Sequence, residues 1–275
     1  MPDVDAHARA SAQERADTLA RDVALLKDTV RDAGALGLSL FRTTLKMWTK
    51  GESSPVSEAD IAVNDLIQSR LQAATPDYGW LSEESADDES RLGKKLTWII
   101  DPIDGTRGYL AGREDWCVSV ALVEDARPLL AAVFAPSTDE FFFAARGQGT
   151  TLNGVPVRAS AGIATDFSRI AGPKPLVQRL ARGEDITLYP RIGSLALRLC
   201  WVANGKLDAA FAGGQSRDWD LAAADLIVHE ANGRMSELSG DPILYNRQEV
   251  THGLLVAAGA DRHAHLVEQF RNRKF

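Results

Sequence analysis

Two aspartates lie three residues apart at the end of an apolar run, Trp98-Ile-Ile-Asp-Pro-Ile-Asp-Gly-Thr106. Pro102 restricts the backbone between Asp101 and Asp104, so both carboxylates can face one point, and the Ile103 carbonyl can point there too. Three hard oxygen ligands packed this closely along the chain suit a magnesium ion. The alternative interpretation is a simple loop cap, because Asp, Gly and Thr are common at turns.

Gly105 and Thr106 follow this pair directly. If a helix or tight turn begins there, their backbone N–H groups form a site for an anion. An acidic protein can use clustered carboxylates for phosphate chemistry only by first binding cations. The segment therefore predicts a metal ion and a phosphate side by side.

Further carboxylates lie next to other predicted elements. Glu83 and Glu84 come just after a strand-like run and can reach the same sheet end, or they belong to a solvated acidic loop. Asp60 and Asp220 each lie in the first turn of a predicted helix, where a capping aspartate would look the same. Each residue thus has both a structural and a metal-binding interpretation.

The apolar spacing predicts the elements that must position these residues. One long helix is predicted over residues 12–47, with Gly34 or Gly37 as a break point, and a second helix is predicted to begin at Ser57 and end at Thr75. Later helices are predicted at 195–203, at 220–231 and from Arg262 onward.

Strand-like runs fall mainly in the middle of the chain. They are predicted at 78–81, 96–100, 116–123, 129–134 and 140–144, and the last three form an antiparallel meander. Beyond about residue 160 the pattern becomes α/β, with strands near 186, 207–211 and 254–257.

Composition excludes several classes of protein. The 275 residues carry a net charge of −7, with 45% hydrophobic residues, and no apolar run reaches the roughly 18 residues that span a bilayer. We therefore expect no membrane and no nucleic-acid partner. Residues 1–21 lack an apolar signal segment, which favours a cytoplasmic location. Cys117 and Cys200 are far apart, which argues against a disulfide framework or a structural zinc site.

Four segments occur in a characteristic order: Ser54-Pro-Val-Ser-Glu-Ala-Asp60, Glu83-Glu84-Ser85, Asp101-Pro-Ile-Asp104-Gly-Thr106 and Trp219-Asp220. Together they resemble the lithium-sensitive inositol monophosphatase superfamily. Gly193-Ser194-Leu195-Ala196 is similar to the substrate-side loop of that family. The resemblance extends from about Lys50 to Gly233, and the joint match is highly specific.

The resemblance implies an α/β fold, a layered αβαβα sandwich with an α+β lobe and an α/β lobe. We expect one phosphatase domain over residues 1–275, with an N-terminal lobe to about residue 158 and a C-terminal lobe from about residue 159. The implied activity is magnesium-dependent hydrolysis of a small phosphate monoester by a metal-activated water. Lithium sensitivity and a homodimer are further expectations, since relatives are commonly dimers.

The resemblance also implies a role for individual residues. Two or three Mg²⁺ ions would be bound by Glu83, Asp101, the Ile103 carbonyl, Asp104 and Asp220, with Asp60 at a third, weaker ion. Catalysis would use Glu83, Thr106 and Asp60, with Thr106 and Glu83 orienting and deprotonating the water. Phosphate or substrate contacts would come from Asp104, Gly105, Thr106, Gly193, Ser194, Leu195 and Asp220. Lys50 matches a nearby basic position.

The substrate is less constrained than the chemistry. Residues 213–218 lack the glutamate that inositol-specific members carry shortly before the Asp220 position, which argues against inositol itself. Arg217 or Arg191 can instead meet a second phosphate, as in a 3'(2'),5'-bisphosphate nucleotide. Histidinol phosphate is a further alternative.

Two other classes of protein compete with this interpretation. Haloacid-dehalogenase-type phosphatases carry an Asp-x-Asp pattern near the chain start, whereas the spacing here is Asp-x-x-Asp, deep in the chain. A regulatory or binding protein can keep such a fold without turnover. The complete set of Glu83, Asp101, Asp104 and Asp220 argues against that second alternative.

Overall fold

The computed structural model describes residues 3–50, 54–181 and 186–271. Its α-helices are α1 Asp3–Leu40, α2 Glu58–Ala74, α3 Thr106–Leu110, α4 Lys174–Leu180, α5 Leu195–Ala203, α6 Asp218–Glu230 and α7 Ala260–Arg271. Short 3₁₀ helices cover Glu89–Gly93 and Phe167–Arg169. Its β-strands are β1 Met47–Lys50, β2 Ser54–Ser57, β3 Gly79–Ser82, β4 Leu96–Asp104, β5 Cys117–Glu124, β6 Arg127–Ala135, β7 Glu140–Ala145, β8 Thr150–Leu152, β9 Val155–Pro156, β10 Ile170–Ala171, β11 Ala209–Ala212, β12 Ser216–Arg217, β13 Gly233–Glu237, β14 Thr251–His252 and β15 Leu255–Gly259.

A seven-stranded sheet runs in the order β3-β4-β5-β6-β7-β8-β9. β3 and β4 are parallel, whereas the other neighbours are antiparallel, so the predicted meander of β5, β6 and β7 is confirmed. β4 continues past the predicted strand end to Asp104, with an irregularity in its pairing between Asp101 and Asp104. Such a bulge re-aims the side chains of a strand, here those of the two aspartates.

Helices and sheets alternate in five layers. α1 and α2 cover one face of the large sheet, and α5 and α6 lie between its other face and a second sheet of order β10-β11-β15-β13. α4 and α7 cover the far face of that second sheet. This is the αβαβα sandwich that the resemblance implied, so the predicted fold class is confirmed.

Three apolar cores separate the layers. The first core holds Leu26 and Ile67 against Trp98. The central core joins residues of the large sheet to α5 and α6, and the third core lies between the second sheet and the helices α4 and α7. Burying each large apolar side chain contributes roughly 1.5–3 kcal/mol. The central core draws residues from both sides of position 158, and the division into two lobes there stays a prediction.

The first helix differs from its prediction in both length and continuity. It covers Asp3–Leu40 rather than 12–47, and residues 47–50 form β1, which pairs with β2. Gly34 and Gly37 do not break it. A Cβ atom on Gly34 would overlap the Phe134 ring, and one on Gly37 would lie 3.0 Å from Trp116. The glycines therefore allow α1 to lie close to the sheet.

The strand predicted near Ile186 is wrong. Residues 186–190 have no regular secondary structure, but Ile186 and Leu188 are partly buried against the third core, which explains their alternation. The short helix α4 and the hairpin of β1 and β2 are elements that the prediction missed. Among the described residues, no helix combines the length and apolar character needed to cross a membrane.

Candidate active site

The ends of β3 and β4 bring Glu83 beside Asp101. The two strands pair Ser82 with Ile100, and the Glu83 N–H donates to the Ile100 carbonyl at 3.1 Å. Parallel neighbours end at the same sheet edge, so the predicted delivery of Glu83 to the Asp101 side of the sheet is what the geometry shows. Glu84 instead faces Lys50, whose Nζ lies 3.5 Å from Glu84 Oε2 and also donates to the Glu83 carbonyl.

Asp220 reaches the same point from the helical layer beneath the sheet. It is the third residue of α6, and its Oδ2 accepts a hydrogen bond from the Arg217 N–H at 2.7 Å. One carboxylate oxygen each from Glu83, Asp101 and Asp220 lie within 4.8 Å of one another. The cap interpretation of Asp220 is correct, and it also joins the carboxylate cluster.

The electrostatics of this cluster favour a bound cation. Burial and the nearby charges of Glu83, Asp104 and Asp220 raise the pKa of Asp101 well above its usual range. Burial and Asp220 likewise raise the pKa of Glu83. Asp101 is 1% exposed, and its Oδ1 has no hydrogen-bond partner in the described part of the chain. An orphaned oxygen among repelling carboxylates fits a hard divalent cation, so these residues suit Mg²⁺.

Asp104 is held by the start of α5. Its Oδ2 accepts hydrogen bonds of 2.6 Å from both the Ser194 hydroxyl and the Ala196 N–H. Ser194 is fully buried and also caps α5 by accepting from the Leu197 N–H at 3.0 Å. The structure thus directs the Ser194 hydroxyl to a predicted metal ligand, although the sequence suggested a substrate contact. The role of Ser194 toward substrate stays a prediction.

Thr106 links the carboxylate loop to Asp60. Its hydroxyl lies 3.0 Å from both Asp60 Oδ1 and the Ile103 carbonyl, and it can donate to either. Asp60 Oδ2 accepts from the Ser57 N–H and hydroxyl, which completes the capping box at the start of α2. Asp60 therefore serves both as the helix cap and as the partner of Thr106. Burial raises the pKa of Asp60, whereas its bonds to Ser57 and Thr106 oppose that shift.

Gly105 brings two loops into close contact. It has a left-handed φ of 98° and precedes α3, so of the two possibilities left open by the sequence, a helix or a tight turn, the structure has the helix. A Cβ atom there would lie 3.1 Å from both Ser194 N and the Asp115 carbonyl, which explains the need for glycine. Asp115 in turn accepts from the Gly193 N–H through Oδ2.

A cavity of about 590 Å³ lies over these residues. Glu83, Asp101, Ile103, Asp104, Gly105, Thr106, Gly193 and Asp220 line it. Arg191 also lines this cavity, whereas Arg217 lines a neighbouring groove with Lys50. Leu195 is half-buried at the first position of α5.

The sequence analysis missed several residues of this cavity, among them Arg107 and Arg113, and it also missed Asp115, the partner of Arg113. Arg113 donates to both carboxylate oxygens of Asp115, at 2.8 and 2.6 Å, and to the Arg191 carbonyl at 2.7 Å. Arg113 and Asp115 lie well beyond the aspartate pair in the chain and carry no motif of their own. The only available signal was a charged Arg-Glu-Asp run before the buried strand β5.

The layered αβαβα fold thus gathers the carboxylates of Glu83, Asp101 and Asp220 at one edge of its large sheet. A family profile described as the inositol monophosphatase family matches residues 18–274. The chain belongs to the inositol monophosphatase family. Relatives in that family include phosphatases, and the family is metal-dependent.

These relatives carry different functional names. A Nus factor SuhB of Xylella fastidiosa is 34% identical over 239 residues, covering 82% of this chain and 84% of that protein. Inositol monophosphatase 1 of Solanum lycopersicum is 31% identical over 236 residues, covering 81% and 86%. A histidinol-phosphatase of Mycobacterium tuberculosis is 35% identical over 208 residues, covering 71% and 79%.

Solved structures agree with the fold. The extragenic suppressor protein suhB from Bartonella henselae has a TM-score of 0.81 at 26% identity, covering 92% of this chain and all of that one. An IMPase/NADP phosphatase complexed with Mg²⁺ and phosphate also has a TM-score of 0.81, at 22% identity, covering 94% and 97%. The second similarity is one of fold alone.

Proposed function

We propose that this chain is a magnesium-dependent phosphatase that hydrolyses a small phosphate monoester by direct attack of water. The observation that carries the proposal is the set of three carboxylates, from Glu83, Asp101 and Asp220, whose oxygens lie within 4.8 Å of one another. The buried, unpartnered Oδ1 of Asp101 supports a cation at their centre. The neighbour crystallised with Mg²⁺ and phosphate supports the choice of ion.

The proposed ligands are Glu83, Asp101, the Ile103 carbonyl, Asp104 and Asp220, with Asp60 at a third, weaker ion. Bound Mg²⁺ lowers the pKa of water and stabilises charge on phosphoryl oxygens. Asp104 can use its Oδ1 for this purpose, because Ser194 and Ala196 occupy Oδ2. Two or three ions per site is the proposed number, to be counted by calorimetric titration with Mg²⁺.

The attacking water would be oriented and deprotonated with the help of Thr106, Asp60 and Glu83. When the Thr106 hydroxyl donates to Asp60 Oδ1, its oxygen lone pairs are free to accept from that water. Glu83 would take up the proton, because its carboxylate lies beside those of Asp101 and Asp220 where the water would bind. The Gly105 and Thr106 amides at the start of α3 would hold the phosphate, with Gly193, Ser194 and Leu195 on the substrate side.

The first test is phosphate release from inositol-1-phosphate, 3'-phosphoadenosine-5'-phosphate, histidinol phosphate and fructose-1,6-bisphosphate, with Mg²⁺ or with EDTA. Activity that EDTA abolishes, and that Asp220→Asn lowers by at least about 100-fold, supports the proposal. Activity that survives EDTA would refute the metal dependence. A trapped aspartyl-phosphate would refute direct attack by water.

Two alternatives have specific support. The histidinol-phosphatase relative favours histidinol phosphate as the substrate, and the preferred compound of the panel decides among the substrate classes, the bisphosphate nucleotides included. The relative named a Nus factor favours a regulatory role without turnover. Absence of activity on every compound would favour that regulatory role.

We further propose a cytoplasmic homodimer that lithium inhibits. Light scattering of the purified protein tests the dimer, and cell fractionation tests the location. Unchanged activity with millimolar-scale lithium in the presence of Mg²⁺ would refute the lithium sensitivity.

A further inference from the structure

Arg91 is a buried arginine that lies outside the lining of the cavity. It belongs to the short 3₁₀ helix before β4 and is 1% exposed. Its guanidinium donates to both carboxylate oxygens of Asp87, at 2.6 and 2.8 Å, to Asn246 Oδ1 at 2.8 Å and to the Arg247 carbonyl at 3.0 Å. A buried charge is costly unless it is paired and hydrogen-bonded, and Arg91 is both.

Asn246 extends the contacts of Arg91 to two further segments. Its backbone N–H donates to Asp218 Oδ2 at 2.7 Å, and its side-chain amide donates to the Thr97 hydroxyl at 3.0 Å. Asp218 is fully buried as the first residue of α6, and its Oδ1 lies 2.6 Å from His252 Nε2. We call Arg91, Asn246 and Asp218 the Arg91 network.

This network contacts each of the three segments that supply a carboxylate to the proposed metal site. In every case the contact residue and the carboxylate are two to four residues apart in the chain. The pairs are Asp87 with Glu83, Thr97 with Asp101, and Asp218 with Asp220. The Arg91 network therefore joins the three segments at a point away from the carboxylates themselves.

The attachment of α6 is the contact on which the geometry of the cluster depends most. Pairing of β3 with β4 already holds Glu83 beside Asp101, whereas Asp220 comes from a different layer. Carboxylate oxygens within 4.8 Å of one another repel strongly in a buried site, so the segments need an attachment that opposes this repulsion. Asn246 provides one, because it bonds both to α6 and to β4.

We propose that Arg91 and Asn246 are positioning residues for the metal site. They hold the start of α6, and with it Asp220, at the distance from the other two carboxylates that a bound cation requires. This inference rests on the metal site of the proposed function and adds residues that set its affinity for the metal. Loss of either residue should weaken Mg²⁺ binding more than it slows the chemical step.

Calorimetric titration with Mg²⁺ in the absence of substrate is the first test. Asn246 has a left-handed φ of 54°, so Asn246→Gly keeps the backbone and its N–H bond while it removes the side-chain bonds to Arg91 and Thr97. We expect the dissociation constant for Mg²⁺ to rise about tenfold in this variant and about 30-fold in Arg91→Met, as for other residues that support metal ligands.

Turnover separates a positioning role from a catalytic one. In each variant the Mg²⁺ concentration for half-maximal hydrolysis should rise by the same factor as the dissociation constant. At saturating Mg²⁺, kcat should fall by less than about threefold, because the bound cation restores the spacing of the carboxylates.

Arg262→Met is the matched control for lost stability. Arg262 is also a buried arginine with several hydrogen bonds, among them bonds to the Ala164 carbonyl and the Ser160 hydroxyl, but it lies in α7 on the far face of the second sheet. This change should lower the melting temperature and leave Mg²⁺ binding unchanged. Melting in EDTA shows whether each variant is folded, and Mg²⁺ should raise the melting temperature of Asn246→Gly less than that of the unaltered protein.

Several outcomes would overturn the inference. These are an unchanged dissociation constant in folded Asn246→Gly, a weakened affinity that Arg262→Met reproduces, and a kcat at saturating Mg²⁺ that falls as far as the affinity does. If Arg91→Met does not fold, Asn246→Gly decides the question. Unchanged Mg²⁺ binding together with EDTA-sensitive hydrolysis refutes the inference and leaves the proposed function standing. Absence of Mg²⁺ binding in the unaltered protein refutes both.

Discussion

The cavity is lined by two sets of charged residues: the carboxylates of the proposed metal site, called here the metal side, and Arg113 with Arg191, called the arginine side. The two sets hold their charges in different ways. On the metal side, Asp101 and Asp104 are buried in the last residues of a strand, and Asp220 is fixed in the first turn of a helix. On the arginine side, Arg113 and Arg191 are exposed on loops and are held by side-chain hydrogen bonds. Rigid elements position catalytic groups, whereas loops are the part of a fold in which specificity can change.

This contrast predicts that removing a buried carboxylate has the largest effect. Asp101→Asn should lower kcat/KM by more than about 100-fold, because it removes a ligand charge from the centre of the cluster. In EDTA the same change should raise the melting temperature by about 2–5 °C, since a buried charge that repels its neighbours is gone. Steady-state kinetics and thermal unfolding measure the two effects.

Asp77→Asn is the matched control for that experiment, because Asp77 is exposed in a turn away from the cavity. It should change neither quantity. If Asp101→Asn kept more than about a tenth of the activity, the carboxylate cluster would not be the catalytic centre.

Ser194 donates to Asp104 of the proposed metal site, so its substitution tests whether it supports metal binding or substrate binding. Ser194→Ala should raise the half-saturating Mg²⁺ concentration about 10–100-fold, because Asp104 loses its bond from the hydroxyl. Calorimetric binding of Mg²⁺ measures this without turnover. Ser194→Thr keeps the hydroxyl and should restore binding. A raised KM with unchanged Mg²⁺ binding would instead support the substrate contact suggested by the sequence.

The stability of the metal-free protein should depend on pH through the carboxylates of the metal side. In the absence of metal, the pKa of Glu83 is raised to about 8 and that of Asp220 to about 7, chiefly by burial. The folded state then binds more protons than the unfolded chain, so unfolding free energy should decrease as pH rises from about 5 to about 8. Melting in EDTA should shift down by about 5 °C over that range, and Mg²⁺ should flatten the dependence. A flat profile in EDTA would contradict the raised pKa values.

Changes on the arginine side should be smallest. Asp115→Asn weakens the ion pair with Arg113, so the loop carrying Arg191 is less well ordered. KM should rise about threefold to tenfold, whereas kcat should change by less than about twofold. A fall in kcat comparable with that of Asp101→Asn would show that this loop acts in the chemical step.

Local sequence signals were sufficient for the parts of the site that lie within one segment. The strand that carries Asp101, its irregular pairing before Asp104 and the helix start after Gly105 lie close together along the chain, so short-range stereochemistry determines them. The capping signal at Ser57 was also correct. The capping signal could not show that Asp60 Oδ1 accepts a hydrogen bond from the Thr106 hydroxyl, because that contact joins two distant segments.

Long-range packing explains the errors. Gly34 and Gly37 resembled helix breakers, yet their small size allows α1 to pack on Phe134 and Trp116. Ile186 and Leu188 alternated like a strand, yet they pack as an irregular segment against the third core. In each case the local pattern has its physical cause in a packing partner that lies elsewhere in the chain, which the local sequence does not reveal.

By itself the sequence determined the residue types of the proposed metal site, their order along the chain, and the layered fold that follows from their resemblance to a family. Only the tertiary structure decided that Ser194 is bonded to Asp104, that Asp115 joins Arg113 to the Gly193 loop, and that Arg191 lines the cavity whereas Arg217 lines the groove beside it. The reason is physical. Motif geometry is set by neighbouring residues, whereas contacts between loops depend on how the layers pack.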